Sequence, residues 1–381
     1  MKELTYSNLK QLKPNSYILI DTRDSGSILY GMIPGAIHIA EQELYANLVR
    51  YAKEFDPQKD VILYCQRGVR SINLAEAFEE QGRECCSLSG GYLAYLRDTV
   101  SSDKQSSEIQ PKAENSIRRK YHKQLFAPFA KACKQYQLIR EGDHIAVCIS
   151  GGKDSMLMAK LFQEIRTHRQ VNFDLTFLVM DPGYNADNRS LIEHNARSLG
   201  IPITIFESSI FDAVDTVEKN PCYLCARMRR GYLYSKAKEL GCNKIALGHH
   251  YDDVIETILM GMLHGGQVQT MMPKLHSTNF EGMELIRPMY LIREADICKW
   301  RDYNELLFLQ CACHFTETCT TCHEDGTTSS KRLETKKLIA ELKKTNPQVE
   351  ANIFNSVSNV NLSTVIAYKE DGVKHHFLDS Y

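Results

Sequence analysis

Residues 144–149, His-Ile-Ala-Val-Cys-Ile, make an apolar run of strand length. It ends in Ser150-Gly151-Gly152-Lys153-Asp154-Ser155 and passes at once into a helical pattern over 155–165. A strand that runs into a glycine pair and then a helix restricts the fold of this chain more than any other feature. The glycines let backbone approach a bound group closely, and the N-terminus of the following helix favours an anion. Lys153 adds a point charge, Ser150 and Ser155 add hydroxyl donors, and Asp154 adds a carboxylate beside them. The string lacks the G-x4-G-K-[ST] spacing of P-loop NTPases, so it is a phosphate cradle of another kind. The same grammar recurs downstream: strands are expected over 173–180, 203–206 and 244–248, and helices over 187–199, 227–240 and 252–263. Strands alternating with helices predict a doubly wound α/β fold with its chemistry at the C-terminal strand ends.

Gly248-His249-His250-Tyr251-Asp252-Asp253 follows the strand at 244–247. Asp252 and Asp253 can hold Mg²⁺ against phosphate oxygens, and Asp252 can also cap the next helix. Gly248 and His250 are candidate nucleotide contacts, and His249 is a candidate for proton transfer.

A polar segment over 101–115, without an aromatic residue, reads as a loosely structured linker. It divides the chain into an α/β domain over 1–100, a larger α/β domain over 116–345 and a C-terminal tail over 346–381. Hydrophobic residues at 43% and charged residues at 24% exclude a disordered chain, and a net charge of −1 excludes a global pull toward nucleic acid or membrane. No apolar run reaches the roughly 18 residues of a membrane span. The start, MKELTYSNLK, has no apolar leader core, so a reducing cytoplasm is expected. There, thirteen cysteines point to metal or sulfur chemistry before disulfides.

Within the first domain, 17–21 and 61–65 read as strands and 71–81 as a helix. Cys65 closes a strand and opens Cys-Gln-Arg-Gly-Val-Arg-Ser. Backbone amides, a helix N-terminus, Arg67 and Arg70 together favour an anion at the cysteine position. Asp21-Thr22-Arg23, Gly31-Met32-Ile33-Pro34-Gly35-Ala36-Ile37-His38 and Gly90-Gly91-Tyr92 complete a pattern that resembles the rhodanese family over nearly all of 1–98. The resemblance implies that Cys65 carries a persulfide sulfur. The Cys65-x4-Arg70 spacing is that of sulfurtransferases; related phosphatases have one residue more. Cys85 and Cys86 lie in a strand and read as core.

Pro221-Cys222-Tyr223-Leu224-Cys225 is a C-x-x-C pair opening a helix, and Cys311-Ala312-Cys313 and Cys319-Thr320-Thr321-Cys322 follow far downstream. Such a set suits either a structural zinc or an iron–sulfur cluster. Over about 115–345, the 150–155 string, the run from Cys222 to Gly231, 248–253, 271–275 and 286–289 resemble the PP-loop tRNA 2-thiocytidine synthetase family. That resemblance implies adenylation of a tRNA base by ATP and a [4Fe-4S] cluster on three cysteines. Cys222, Cys225 and Cys311 are the favoured ligands, with Cys313 the alternative third. Family members more often end in a C-x-x-C pair, so zinc on Cys311, Cys313, Cys319 and Cys322 stays an alternative. Cys133, Cys148, Cys242 and Cys298 read as core.

Eight Lys/Arg within 112–140, five within 222–238 and six within 331–344 form local basic patches. Such patches suit an RNA backbone, with Arg227-Met228-Arg229-Arg230 nearest the proposed cluster. Tyr121, Phe126, Phe129 and Tyr136 interleave the first patch at a core-facing spacing. The combined expectation is a two-domain α/β enzyme using ATP, Mg²⁺ and [4Fe-4S] to thiolate a tRNA cytidine. Sulfur would come through Cys65 from a persulfide donor or cysteine desulfurase. The resembled family is often dimeric. Thiolation of another base or a small molecule, or a cluster-based sensor, are the competing readings.

Overall fold

Val61, Ile62, Leu63 and Tyr64 are all fully buried, although successive strand residues face opposite ways. A strand apolar on both faces belongs inside a parallel sheet covered on both faces. The computed structural model describes residues 2–101, 106–184, 186–208, 210, 221–308 and 331–381, and it places the strand there. Strands β1 (Lys2–Leu4), β2 (Tyr17–Asp21), β3 (Ile37–His38), β4 (Asp60–Tyr64) and β5 (Cys85–Leu88) make one sheet. Its order is β1-β5-β4-β2-β3, and every pair is parallel.

The second sheet holds β6 (His144–Ile149), β7 (Asp174–Asp181), β8 (Ile203–Glu207), β9 (Lys244–Ala246), β10 (Lys274–His276) and β11 (Glu284–Ile286). Its order is β10-β11-β9-β6-β7-β8, with only β10 and β11 antiparallel. The chain winds outward from β6 to β8 and returns on the other side of β6 to form β9. The direction of winding therefore switches between β6 and β9, where a crevice opens at the carboxyl ends of the strands. The 150–155 loop leaves β6 there, and 247–250 leaves β9 there. The expected strands and helices of this domain all form. The helix Lys153–Thr167 is buried through Met156, Leu157, Met158, Ala159, Leu161 and Phe162.

The 101–115 segment is not a loose linker throughout. Residues Ser106–Asn115 form a helix despite Pro111. Ala113 is fully buried, and Glu114 accepts from the buried Lys160 ammonium at 2.8 Å. Gln163 Oε1 at 2.7 Å and the Leu199 carbonyl at 2.8 Å accept from the same ammonium, which satisfies its three donors. Burial pushes the Lys160 pKa down, and the Glu114 hydrogen bond opposes it.

Both sheets belong to one compact unit. A second unit comprises Tyr251–Met272 and residues 331–381. Within it the helix Tyr251–Gly265 packs on Lys331–Thr345 and Val349–Ser356, with the Tyr251 ring stacked on Phe354 at 4.4 Å. Residues 346–381, expected as a tail, carry that last helix and an antiparallel hairpin of β12 (Ala367–Glu370) and β13 (Val373–His376).

Cys85, Cys133, Cys148 and Cys242 are buried core residues as expected, while Cys86 and Cys298 are half-buried. Burial pushes the Cys85 and Cys148 thiols up to about 12, which keeps them protonated and inert. Tyr121, Phe126 and Phe129 are buried too, so that stripe serves the core. Among the described residues, no helix is long and apolar enough to cross a membrane.

Candidate active sites

Cys65 is the first residue beyond β4 and is buried. Its Sγ accepts from the Gly68 N–H at 3.2 Å and from the Ser71 hydroxyl at 3.5 Å. Ser71 Oγ lies 2.9 Å from Ser87 Oγ on β5, so two buried hydroxyls stand behind the thiol. The turn at Gly90 and Gly91 clasps the loop. Tyr92 N–H donates to the Cys65 carbonyl at 3.0 Å and Leu93 N–H to the Gln66 carbonyl at 3.1 Å. A Cβ on Gly91 would collide with the Cys65 carbonyl oxygen and come within 2.6 Å of the Gly68 nitrogen. Only glycine fits.

The Asp21-Thr22-Arg23 motif forms the floor of this loop. Arg23 Nη2 sits 2.6 Å from Asp21 Oδ2, and the Tyr64 hydroxyl donates to the same oxygen at 2.7 Å. The Arg23 guanidinium lies 3.7 Å from the centre of the Tyr92 ring. Burial, with Asp21 beside it, pushes the Tyr64 phenol far up. These charges are paired and hydrogen-bonded, as burial requires, and they brace the site. Arg70 begins the helix Arg70–Glu80, and its guanidinium is 3.9 Å from Glu41. The contacts to Sγ thus come from a backbone amide and from Ser71. Ser71 went unremarked in the sequence, although it is the residue after the loop arginine.

The second site lies in the crevice between β6 and β9. Gly151 has a left-handed φ of 85°, and Gly152 precedes the helix in an extended conformation without a side-chain cap. The first-turn amides are therefore available to an anion. Ser155 Oγ is 3.2 Å from Ser150 Oγ and donates to the Gly152 carbonyl at 3.0 Å, closing the loop. Gly248 passes close over this helix start: a Cβ there would stand 3.3 Å from Ser155 N. Lys153 is buried, held by Glu294 Oε1 at 3.1 Å and Asp154 Oδ2 at 3.2 Å. Asp154 Oδ1 is buried and makes no hydrogen bond; the nearby His250 Nε2 is 3.9 Å away. His249 Nδ1 accepts from Arg287 Nε at 3.3 Å, so its proton sits on Nε2 in the neutral ring. Glu294 and Arg287 were invisible as site residues because later elements supply them.

Asp252 and Asp253 occupy the first turn of the helix Tyr251–Gly265 in the second unit. The helix begins at Tyr251, so Asp252 is inside it and is not its cap. Asp253 Oδ1 is 3.1 Å from Arg332, which also reaches Glu256 at 3.4 Å. Cys222 and Cys225 fall on the first turn of the helix Pro221–Glu239, three residues apart and hence on one face. Cys311, Cys313, Cys319 and Cys322 lie outside the described residues. Arg229 donates to the Tyr184 hydroxyl at 3.2 Å.

A family model for the PP-loop domain matches residues 117–312, which includes the 150–155 cradle and the C-x-x-C pair. The chain belongs to the PP-loop family. A rhodanese-like domain model matches residues 5–98 in addition. This PP-loop chain is 32% identical over 241 residues to a tRNA-cytidine(32) 2-sulfurtransferase of Anaeromyxobacter dehalogenans (strain 2CP-C), covering 62% of this chain and 79% of that one. It is 32% identical to the tRNA-cytidine(32) 2-sulfurtransferase of Geobacter sulfurreducens, covering 63% and 90%. The enzyme of that name from Paraburkholderia phytofirmans is 33% identical, covering 66% and 72%.

Proposed function

We propose that this protein is a cytoplasmic, ATP-dependent tRNA sulfurtransferase that converts an anticodon-loop cytidine to 2-thiocytidine, with sulfur supplied through Cys65. The observation that carries the reading is the cradle at the switch point, where Asp154 Oδ1 is a buried acceptor with no hydrogen-bond donor. A lone carboxylate oxygen beside phosphate-binding amides is a donor suited to Mg²⁺. In this reading the Gly151–Gly152 turn and the first helical turn hold the triphosphate, and Asp154, with Asp252 and Asp253, holds the metal. Glu294 fixes Lys153 in place, and Arg287 orients His249 toward the reacting base. The base oxygen attacks the α-phosphorus and pyrophosphate leaves. Sulfur then takes the ring carbon, and AMP departs with the oxygen. Release of a sulfane sulfur as a thiocarbonyl consumes two electrons, which a thiol reductant supplies by forming a disulfide.

Cys222 and Cys225, sharing one helix face, suit two positions of a [4Fe-4S] cluster, with Cys311 or Cys313 as the third. Such a cluster, when bound, supplies an open iron that presents sulfur. Cys65 takes its sulfur from a persulfide donor such as a cysteine desulfurase, and the functional division falls between the rhodanese-like and PP-loop stretches.

Nucleoside mass spectrometry of tRNA from a strain lacking the gene should show 2-thiocytidine lost and other thionucleosides kept. An unchanged thionucleoside profile would remove tRNA from the reading. Anaerobic purification should give about four iron and four sulfide per chain, and Cys222→Ser should bring both below about one. One zinc per chain without iron would decide for a structural metal.

A further inference from the structure

The helix Gly91–Ser101 has two attachments. Its first residues press on the Cys65 loop through the Tyr92–Cys65 and Leu93–Gln66 hydrogen bonds. Farther along, Arg97 bonds Asp187 Oδ2 at 2.6 and 2.9 Å on the helix Ala186–Ser198 of the PP-loop domain. That second helix holds the chain ahead of the downstream cysteines, because Asn195 Nδ2 donates to the Leu307 carbonyl at 2.7 Å. Leu307 closes the circuit: a Cβ on Gly31 would lie 3.2 Å from Leu307 Cδ2 and 2.9 Å from the Tyr92 hydroxyl. The Gly31 carbonyl itself accepts from Arg23 at 2.7 Å. Tyr92, Tyr95 and Leu96 share one continuous apolar core with Leu191, Ile192, Ala196 and Leu306. The Arg97–Asp187 pair is exposed and contributes at most about 1 kcal/mol, so the shared core carries this docking.

We propose that sulfur passes from Cys65 to an acceptor thiolate of the PP-loop domain within one chain, across this fixed docking, and not between copies or through a swinging domain. The inference rests on the reading of Cys65 as the sulfur carrier. In the transfer, the acceptor thiolate attacks the outer sulfur of the Cys65 persulfide. A new S–S bond forms as the bond to Cys65 Sγ breaks. The outer sulfur keeps its hydrogen, and the electron pair remains on Sγ, where the Gly68 N–H and the Ser71 hydroxyl receive it. Thiolate and persulfide exchange places, so this step consumes no oxidant or reductant. A docked donor also holds the acceptor at an effective concentration that dilution does not change.

The full chain, loaded at Cys65 from inorganic polysulfide and desalted, is mixed with tRNA, ATP, Mg²⁺ and a fixed thiol reductant. The single-turnover rate of thionucleoside formation should stay within about twofold over a 100-fold dilution of protein. A rate that falls in proportion to protein concentration would overturn same-chain transfer. Co-expressed, differently tagged Cys65→Ser and Asp154→Asn chains, purified together through both tags, test transfer inside a tight dimer. Thiolation should stay near the level of the separate variants, and recovery to about half of the unmodified protein would overturn the proposal. If no mixed species forms, the dilution result decides. Full thiolation by Cys65→Ser alone would be a different failure, because it removes Cys65 as the carrier whatever the route.

Discussion

Asp154→Asn is expected to lower thiolation at least about 100-fold while leaving thermal stability essentially unchanged. The asparagine has the same shape and helical position. Oδ1 makes no hydrogen bond, so its replacement breaks none inside the protein, and Oδ2 meets only Lys153, which Glu294 still holds. What disappears is a negative oxygen at the mouth of the cradle. An amide is a poor ligand for Mg²⁺ and adds no charge to fix the metal against phosphate. Pyrophosphate release in the presence of tRNA should fall in parallel with thiolation, because the loss precedes any sulfur step. Activity within threefold of the unmodified enzyme would take Asp154 out of the site.

Gly91→Ala is expected to cost the rhodanese-like domain about 3 kcal/mol and to slow persulfide formation on Cys65 at least about tenfold. Two effects add. Gly91 has a φ of 54°, which costs an alanine roughly 1 kcal/mol. The new methyl also collides with the Cys65 carbonyl and crowds the Gly68 and Arg67 nitrogens. Relieving that clash displaces the amide that faces Sγ. Gly82→Ala separates the two contributions, since Gly82 has a φ of 78° and nothing within 4 Å of its would-be Cβ. It should show the backbone cost alone and leave Cys65 reactive. Equal melting temperatures and equal persulfide uptake for the two variants would mean that the clasp on the loop does not matter.

The elements legible in the sequence were those whose physics is local. Long apolar runs became β2, β4, β6, β7 and β8, and the glycine strings marked both strand-end loops because a close backbone approach needs glycine wherever it occurs. The misses share a dependence on distant partners. The helix Ser106–Asn115 is polar in composition, and its anchor is a lysine on another helix. Strand β11 is three residues long, and its Glu284 is buried against Lys244 at 3.0 Å and Lys274 at 3.3 Å, a pairing no window on the sequence contains. Ser71, Arg287 and Glu294 escaped for the same reason: each matters through a group brought near by the fold.

The Glu114–Lys160 contact decides where this protein can be cut. Lys160 is buried in the core of the PP-loop domain, yet the carboxylate that neutralises it comes from a stretch that looks dispensable. A separately expressed PP-loop domain that starts after residue 115 would strand an ammonium with one amide oxygen and one carbonyl. Removing one partner of a buried pair costs about 3–5 kcal/mol. Loss of activity on trimming the chain there would then report a collapsed core, and it would say nothing about whether the rhodanese-like domain delivers sulfur. A truncation that begins before Ser106 keeps Glu114 and asks that question cleanly.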